Sequence, residues 1–197
     1  MKIFSILILV VGLLHAGKTT FVTIDNAVIK AKATFSITDE KGALIGRGLR
    51  WGLLPPYNYT IFDPEGRTIA TAESRLFAFG ALAAGSENLD IYTPDGYLGK
   101  ISGTIWTFAR AKFRFSDRDD HECALAYLDN DRFVFSIVEE QELNNKLLMT
   151  LEGVATGTSG HIKNTWIEGA PEIDERIIHI FSMFVLDFRY SFTHTYY

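Results

Sequence analysis

Eight residues near the N-terminus, Gly12-Leu13-Leu14-His15-Ala16-Gly17-Lys18-Thr19, match the spacing G-x-x-x-x-G-K-[ST]. In a loop of that pattern the backbone amides cradle phosphates, the lysine reaches the β- and γ-phosphates, and the hydroxyl takes Mg²⁺. Asp63-Pro64-Glu65-Gly66 has the D-x-x-G spacing that accompanies such a loop in a GTPase. The surroundings argue against it. A helix must follow the lysine, yet Thr19-Thr20-Phe21-Val22-Thr23-Ile24 is dominated by β-branched residues, which favour strands. No N-K-x-D is present, and Asn145-Lys146 is followed by Leu147-Leu148. A P-loop using Gly12, Gly17, Lys18 and Thr19 is therefore the alternative reading.

The same stretch reads more simply as a leader. Lys2 supplies one positive charge, Ile3 to Leu14 is uncharged and apolar, and small residues follow at Ala16-Gly17. These are the three parts of a secretory signal peptide. The apolar run covers only about 18 Å as a helix, short of the roughly 30 Å hydrocarbon core of a bilayer. The expectation is that residues 1–17 are a cleaved leader and that 18–197 form one exported domain. The alternative is an uncleaved segment that anchors the domain to a membrane.

A second group is cationic. Arg110, Lys112 and Arg114 alternate with Ala111, Phe113 and Phe115. In a strand this places three cations on one face and the apolar residues on the other. Lys100 joins them if 97–105 pairs with 110–116. Such a face suits phosphate groups, while a plain solvated strand face has the same pattern, and Asp117, Asp119 and Asp120 lie close by.

The remaining reactive residues form no constellation. Asp117-Arg118-Asp119-Asp120-His121-Glu122 is rich in oxygen, but Glu122 and Leu128 stand where a calcium loop needs Gly and Glu. It reads as an exposed turn. The histidines at 15, 121, 161, 179 and 194 lack metal-ligand spacing. Cys123 begins a predicted strand and reads as a small buried hydrophobe; as the only cysteine, it excludes an internal disulfide. No paired carboxylates or G-x-S-x-G elbow occur, so no catalytic residue, metal or cofactor is assigned.

The elements that must position these residues are strands. At 197 residues the chain fits one domain, and 47% hydrophobic with 22% charged residues suits a packed core. A net charge of −5 excludes a globally basic nucleic-acid binder. Phe35 to Ile45 and Tyr59 to Ile69 share the plan aromatic-x-Ile-x-Asp-x-x-Gly-x-x-Ile. Asp opens a turn with its side chain and Gly closes it at positive φ. Leu89 to Leu98 is a looser copy. Further strand pairs are expected at Ala111–Ser116 with Cys123–Leu128, and at Arg132–Val138 with Lys146–Leu151. Gly153 to Gly169 reads as a long loop with one strand near Ile162–Ile167. The count is ten to twelve strands, a sandwich or barrel.

The C-terminal segment changes character. Pro171 and the acids Glu172, Asp174 and Glu175 suit a helix start. From Ile177 to Phe188 only His179, Ser182 and Asp187 interrupt the apolar residues, so a helix at about 172–189 is hydrophobic almost all round. Such a helix must be enclosed. His179 on it is expected to hydrogen-bond a barrel carbonyl.

Together these features resemble the tubby C-terminal-like fold shared by tubby proteins, phospholipid scramblases and plant LURP-one-related proteins. The resemblance rests on the Ile-x-Asp-x-x-Gly hairpins at 37–42 and 61–66, on Gly96-Tyr97-Leu98-Gly99-Lys100-Ile101 leading into Phe113-Arg114-Phe115-Ser116-Asp117, and on the apolar helix at 174–188. It implies an all-β barrel of about twelve antiparallel strands enclosing a hydrophobic C-terminal α-helix. It also implies a non-catalytic protein that binds lipid headgroups or a protein partner. Lys100, Arg110, Lys112 and Arg114 are then the residues for an anionic phospholipid at a membrane surface.

Overall fold

The computed structural model describes residues 16–26, 31–52, 56–76, 86–104, 112–129, 133–139, 145–156, 159–170 and 173–193. Twelve antiparallel strands form a closed barrel: β1 (Ala16–Asn26), β2 (Lys32–Asp39), β3 (Leu44–Trp51), β4 (Asn58–Phe62), β5 (Thr68–Leu76), β6 (Ser86–Thr93), β7 (Gly96–Thr104), β8 (Lys112–Asp117), β9 (Glu122–Asp129), β10 (Val134–Glu139), β11 (Lys146–Thr156) and β12 (Ser159–Ile167). Each pairs with its sequence neighbours, and β1 closes the ring on β12 with Val22 opposite Ile162. One helix is present among the described residues, α1 (Glu175–Thr193), after the last strand. The all-β barrel around a C-terminal helix is the fold expected from the sequence.

Side-chain alternation builds the wall. Val22 and Ile24, Phe35 and Ile37, Tyr59 and Ile61, and Leu89 and Ile91 are buried, while the residues between them face outward. The repeated turns form as their sequence requires. Asp39 Oδ1 accepts from the amides of Lys41 and Ala43, and Asp63 Oδ1 accepts from that of Arg67. Gly42 and Gly66 then adopt φ of 79° and 86°.

Helix α1 fills the lumen. Every side chain from Ile177 to Asp187 is buried, which is why the segment is apolar round its whole circumference. Phe181 is ringed edge-on by Phe113, Phe115 and Phe135 at centroid distances of 5.0, 5.2 and 5.3 Å. Elsewhere the wall is thin. A Cβ on Gly48 would lie 2.6 Å from Met183 Sδ, so the glycine makes room for the helix. Asp174 caps α1: its carbonyl accepts from the Ile177 amide and its Oδ1 from the Arg176 amide at 2.9 Å. The helix thus begins at Glu175 rather than 172. Pro171 and Glu172 lie outside the described residues.

Two further expectations are corrected. Gly153 to Gly169 is not a long loop. It supplies the end of β11 and all of β12, paired from Met149–Trp166 to Thr156–Ser159. Cys123 is exposed, because it points away from the lumen that Ala124 and Ala126 line; its thiol donates to the Phe115 carbonyl at 3.2 Å. The expected leader boundary at residue 17 falls within β1, where Ala16 is opposite Ile167; residues 1–15 lie outside the described ones.

Candidate functional site

Strands β7 and β8 pair with Ser102 opposite Arg114 and Thr104 opposite Lys112, as the sequence anticipated. Phe113 and Phe115 point into the lumen, so Lys112 and Arg114 point out. Lys100 lies two residues before Ser102 on the same face, opposite Ser116. Three of the four predicted cations therefore share the outer surface of β7 and β8. Arg110 lies outside the described residues.

Acids that the sequence showed only as neighbours become partners. Lys100 Nζ is 2.7 Å from Asp120 Oδ1, and Arg114 Nε is 3.3 Å from Glu122 Oε2. The hydrogen bond to Asp120 raises the Lys100 pKa above its ordinary value, so the ammonium stays charged. Lys112 Nζ lies 5.2 Å from the centre of the Tyr127 ring. Solvent reaches both ion pairs, with the Arg114 side chain 60% exposed. Exposed pairs of this kind contribute about 1 kcal/mol or less, so a phosphate oxygen can replace the carboxylate.

Among the described residues the P-loop geometry is not present. Gly12 lies outside the described residues, while Gly17, Lys18 and Thr19 belong to β1, with Thr19 opposite Thr165 of β12. The strand runs on to Asn26, so no helix N-terminus stands behind Lys18 to receive a phosphate. Lys18 instead pairs with Glu175 in the first turn of α1. Asp63, of the D-x-x-G spacing, is a turn residue bound to Arg67.

The acidic turn behaves as a turn. Asp117 Oδ1 accepts from the amides of Asp119 and His121 at 2.9 and 3.0 Å. The His121 amide leads the interactions that hold the Asp117 carboxyl below its usual range, against some burial. Asp117, Asp119 and His121 converge there, and exposed acids converge so without a metal.

The polar residues of α1 meet wall partners that the sequence did not identify. His179 Nε2 is 3.1 Å from Thr20 Oγ1, a hydroxyl rather than the expected carbonyl. Asn164 Nδ2 donates to the same oxygen at 3.4 Å, and the Ser182 hydroxyl lies 2.9 Å from Asn164 Oδ1. Burial lowers the His179 pKa to about 4, leaving the ring neutral. Asp187 is 3.0 Å from Arg50 Nη2 and receives the Tyr59 hydroxyl at 3.2 Å. The signal for Arg50 was faint: it follows Gly46-x-Gly48 at period two, a row that points inward.

No protein-family model matches the chain, and no curated protein matches it in sequence. The fold defines its class: a closed twelve-stranded antiparallel barrel plugged by its own C-terminal helix. No helix among the described residues is long and apolar enough to cross a membrane.

Proposed function

We propose that this is a non-catalytic, tubby-like binding protein that takes the phosphate headgroups of anionic phospholipid on the outer face of β7 and β8, through Lys100, Lys112 and Arg114. The observation that carries this reading is the occupied lumen. With α1 filling the space in which an open barrel holds cargo, a ligand has only the outside, and the three cations sit there on paired strands. The twelve-stranded wall around an apolar C-terminal helix supports the tubby-like kinship. The leader-like Met1–Gly17 supports an exported protein. The test is cosedimentation of the full chain with phosphatidylcholine vesicles containing or lacking phosphatidylserine. Replacing Lys100→Gln together with Arg114→Gln should weaken the phosphatidylserine-dependent part of binding about tenfold. An unchanged serine-lipid dependence would sink the assignment.

A further inference from the structure

Asn58-Tyr59-Thr60 is the only Asn-x-Ser/Thr sequence in the chain. With a middle residue other than proline, this is the acceptor signal for N-linked glycosylation in chains that enter a secretory compartment. A three-residue pattern arises easily by chance, so its place in the fold decides its use. The pattern opens β4, where Tyr59 and Ile61 are buried and Asn58 and Thr60 alternate with them. Amide and hydroxyl therefore leave the same outer face of the wall. Asn58 is exposed, and its side chain makes no hydrogen bond among the described residues.

The neighbouring strands supply what stands on either side. Trp51 of β3 is directly opposite Asn58, and Glu73 of β5 is opposite it on the other side. Side chains opposite one another in an antiparallel pair have Cβ atoms about 5 Å apart, within reach of a sugar ring attached at Asn58. Trp51 is 53% exposed at the end of its strand. Lys32 of β2 is next in the same row, with its Nζ 5.9 Å from the indole. An isolated exposed tryptophan is ordinary on a soluble surface. This one stands beside the residue from which a first sugar would extend.

We infer that Asn58 is the acceptor of an N-linked glycan, and that its first N-acetylglucosamine packs on Trp51. In the transfer, the Asn58 carboxamide nitrogen bonds to the anomeric carbon of an oligosaccharide carried on a polyprenyl diphosphate. The carbon–oxygen bond to the diphosphate breaks and the polyprenyl diphosphate leaves with the electron pair. The nitrogen gives up one proton to the host's oligosaccharyltransferase. The Thr60 hydroxyl, two residues on, completes the signal that the transferase recognises. The C–H face of the sugar then covers indole that is otherwise in water, and Glu73 offers an acceptor for its hydroxyls on the other side. Strands β5 and β6 separate Asn58 from Lys100 of β7, so the attachment point lies outside the cationic face. The inference rests on the exported-protein reading above and adds a covalent modification to it.

The full chain, expressed with residues 1–17 in place in a eukaryotic secretory cell, tests it by the intact mass of the protein in the medium. The expected product carries the mass of one N-glycan, which peptide-N-glycosidase removes while converting the acceptor asparagine to aspartate. Asn58→Gln and Thr60→Val should each lose the glycan completely, and Thr60→Ser should keep it. Thr60→Val retains a β-branched strand residue and keeps the comparison readable should Asn58→Gln not fold. Secretion of the wild type at the bare polypeptide mass overturns the acceptor and leaves export standing. Retention inside the cell with residues 1–17 attached overturns export and the acceptor together. A glycan that survives in Asn58→Gln overturns the assignment to this residue. Acrylamide quenching of tryptophan fluorescence reads the packing. Enzymatic removal of the glycan from the native protein should raise quenching in the wild type and leave Trp51→Phe unchanged. Equal quenching of the wild type before and after removal overturns the packing on Trp51.

Discussion

Arg50 and Asp187 form a buried ion pair at 3.0 Å that ties the end of β3 to α1, both side chains about 8% exposed. Each charge is held by more than its partner. Arg50 Nη1 donates to the Gly52 carbonyl at 2.6 Å and its guanidinium lies over the Tyr57 ring, while Tyr59 donates to Asp187. Burial still raises the Asp187 pKa above its usual value, against the attraction of Arg50. The pair ties α1 to β3 at this depth of the lumen.

Breaking the pair from one side should cost more than removing it whole. Asp187→Ala strands a guanidinium in the lumen and is expected to lower stability by about 3–5 kcal/mol. Arg50→Met with Asp187→Leu should cost clearly less than the two single changes combined. Urea unfolding midpoints of the three variants decide it. A loss under about 1 kcal/mol for Asp187→Ala would mean the pair does not hold the helix.

His179 makes the fold sensitive to mild acid. Unfolded, the ring takes a proton near its ordinary pKa of 6.5; folded, burial delays this to about 4. The unfolded chain therefore binds more protons between those values. The stability His179 permits is complete above pH 6.5 and falls as pH drops toward 4, by on the order of 3 kcal/mol. Glu175 on α1 and Asp174 at its cap draw the proton in, and Lys18 on β1 opposes it. The raised Asp187 carboxyl acts in the opposite sense, favouring the folded state as pH falls. Urea midpoints from pH 7.5 to 4 should fall more steeply for the wild type than for His179→Gln. Parallel curves would contradict the assignment.

Gly99 leaves no room for a side chain against β8. Its φ is 158°, and an added Cβ would fall against the Ser116 carbonyl oxygen of β8, backbone that has nowhere to move. Gly99→Ala should cost about 3 kcal/mol from strain and overlap together. Gly42→Ala, at φ 79° with open space round it, should cost about 1 kcal/mol. Thermal melts of the pair check the order, and a Gly99→Ala protein as stable as Gly42→Ala would refute it.

Local chemistry made much of this protein legible. Period-two alternation located the hairpins, Asp-x-x-Gly located their turns, and an apolar surface all round α1 required a wall around it. The outward set of Lys100, Lys112 and Arg114 followed from the same alternation. Gly153 to Gly169 misled for a physical reason. Glycine lowers strand propensity locally, yet Gly153 is small because the Phe133 ring lies where its side chain would be. Cys123 misled because its residue type argues for burial, whereas alternation with the inward Ala124 and Ala126 turns it outward.

Contacts between distant residues were decided only by the closed barrel. The sequence shows His179, Ser182 and Asp187 as interruptions in an apolar helix; closure of β1 on β12 brings Thr20 and Asn164 to the first two, and β3 brings Arg50 to the third. The pairing of Lys100 with Asp120 is of the same kind. Propensity and alternation act between neighbours along the chain and are written in residue order. Partnership across a lumen depends on register and closure, which exist only once all twelve strands have met.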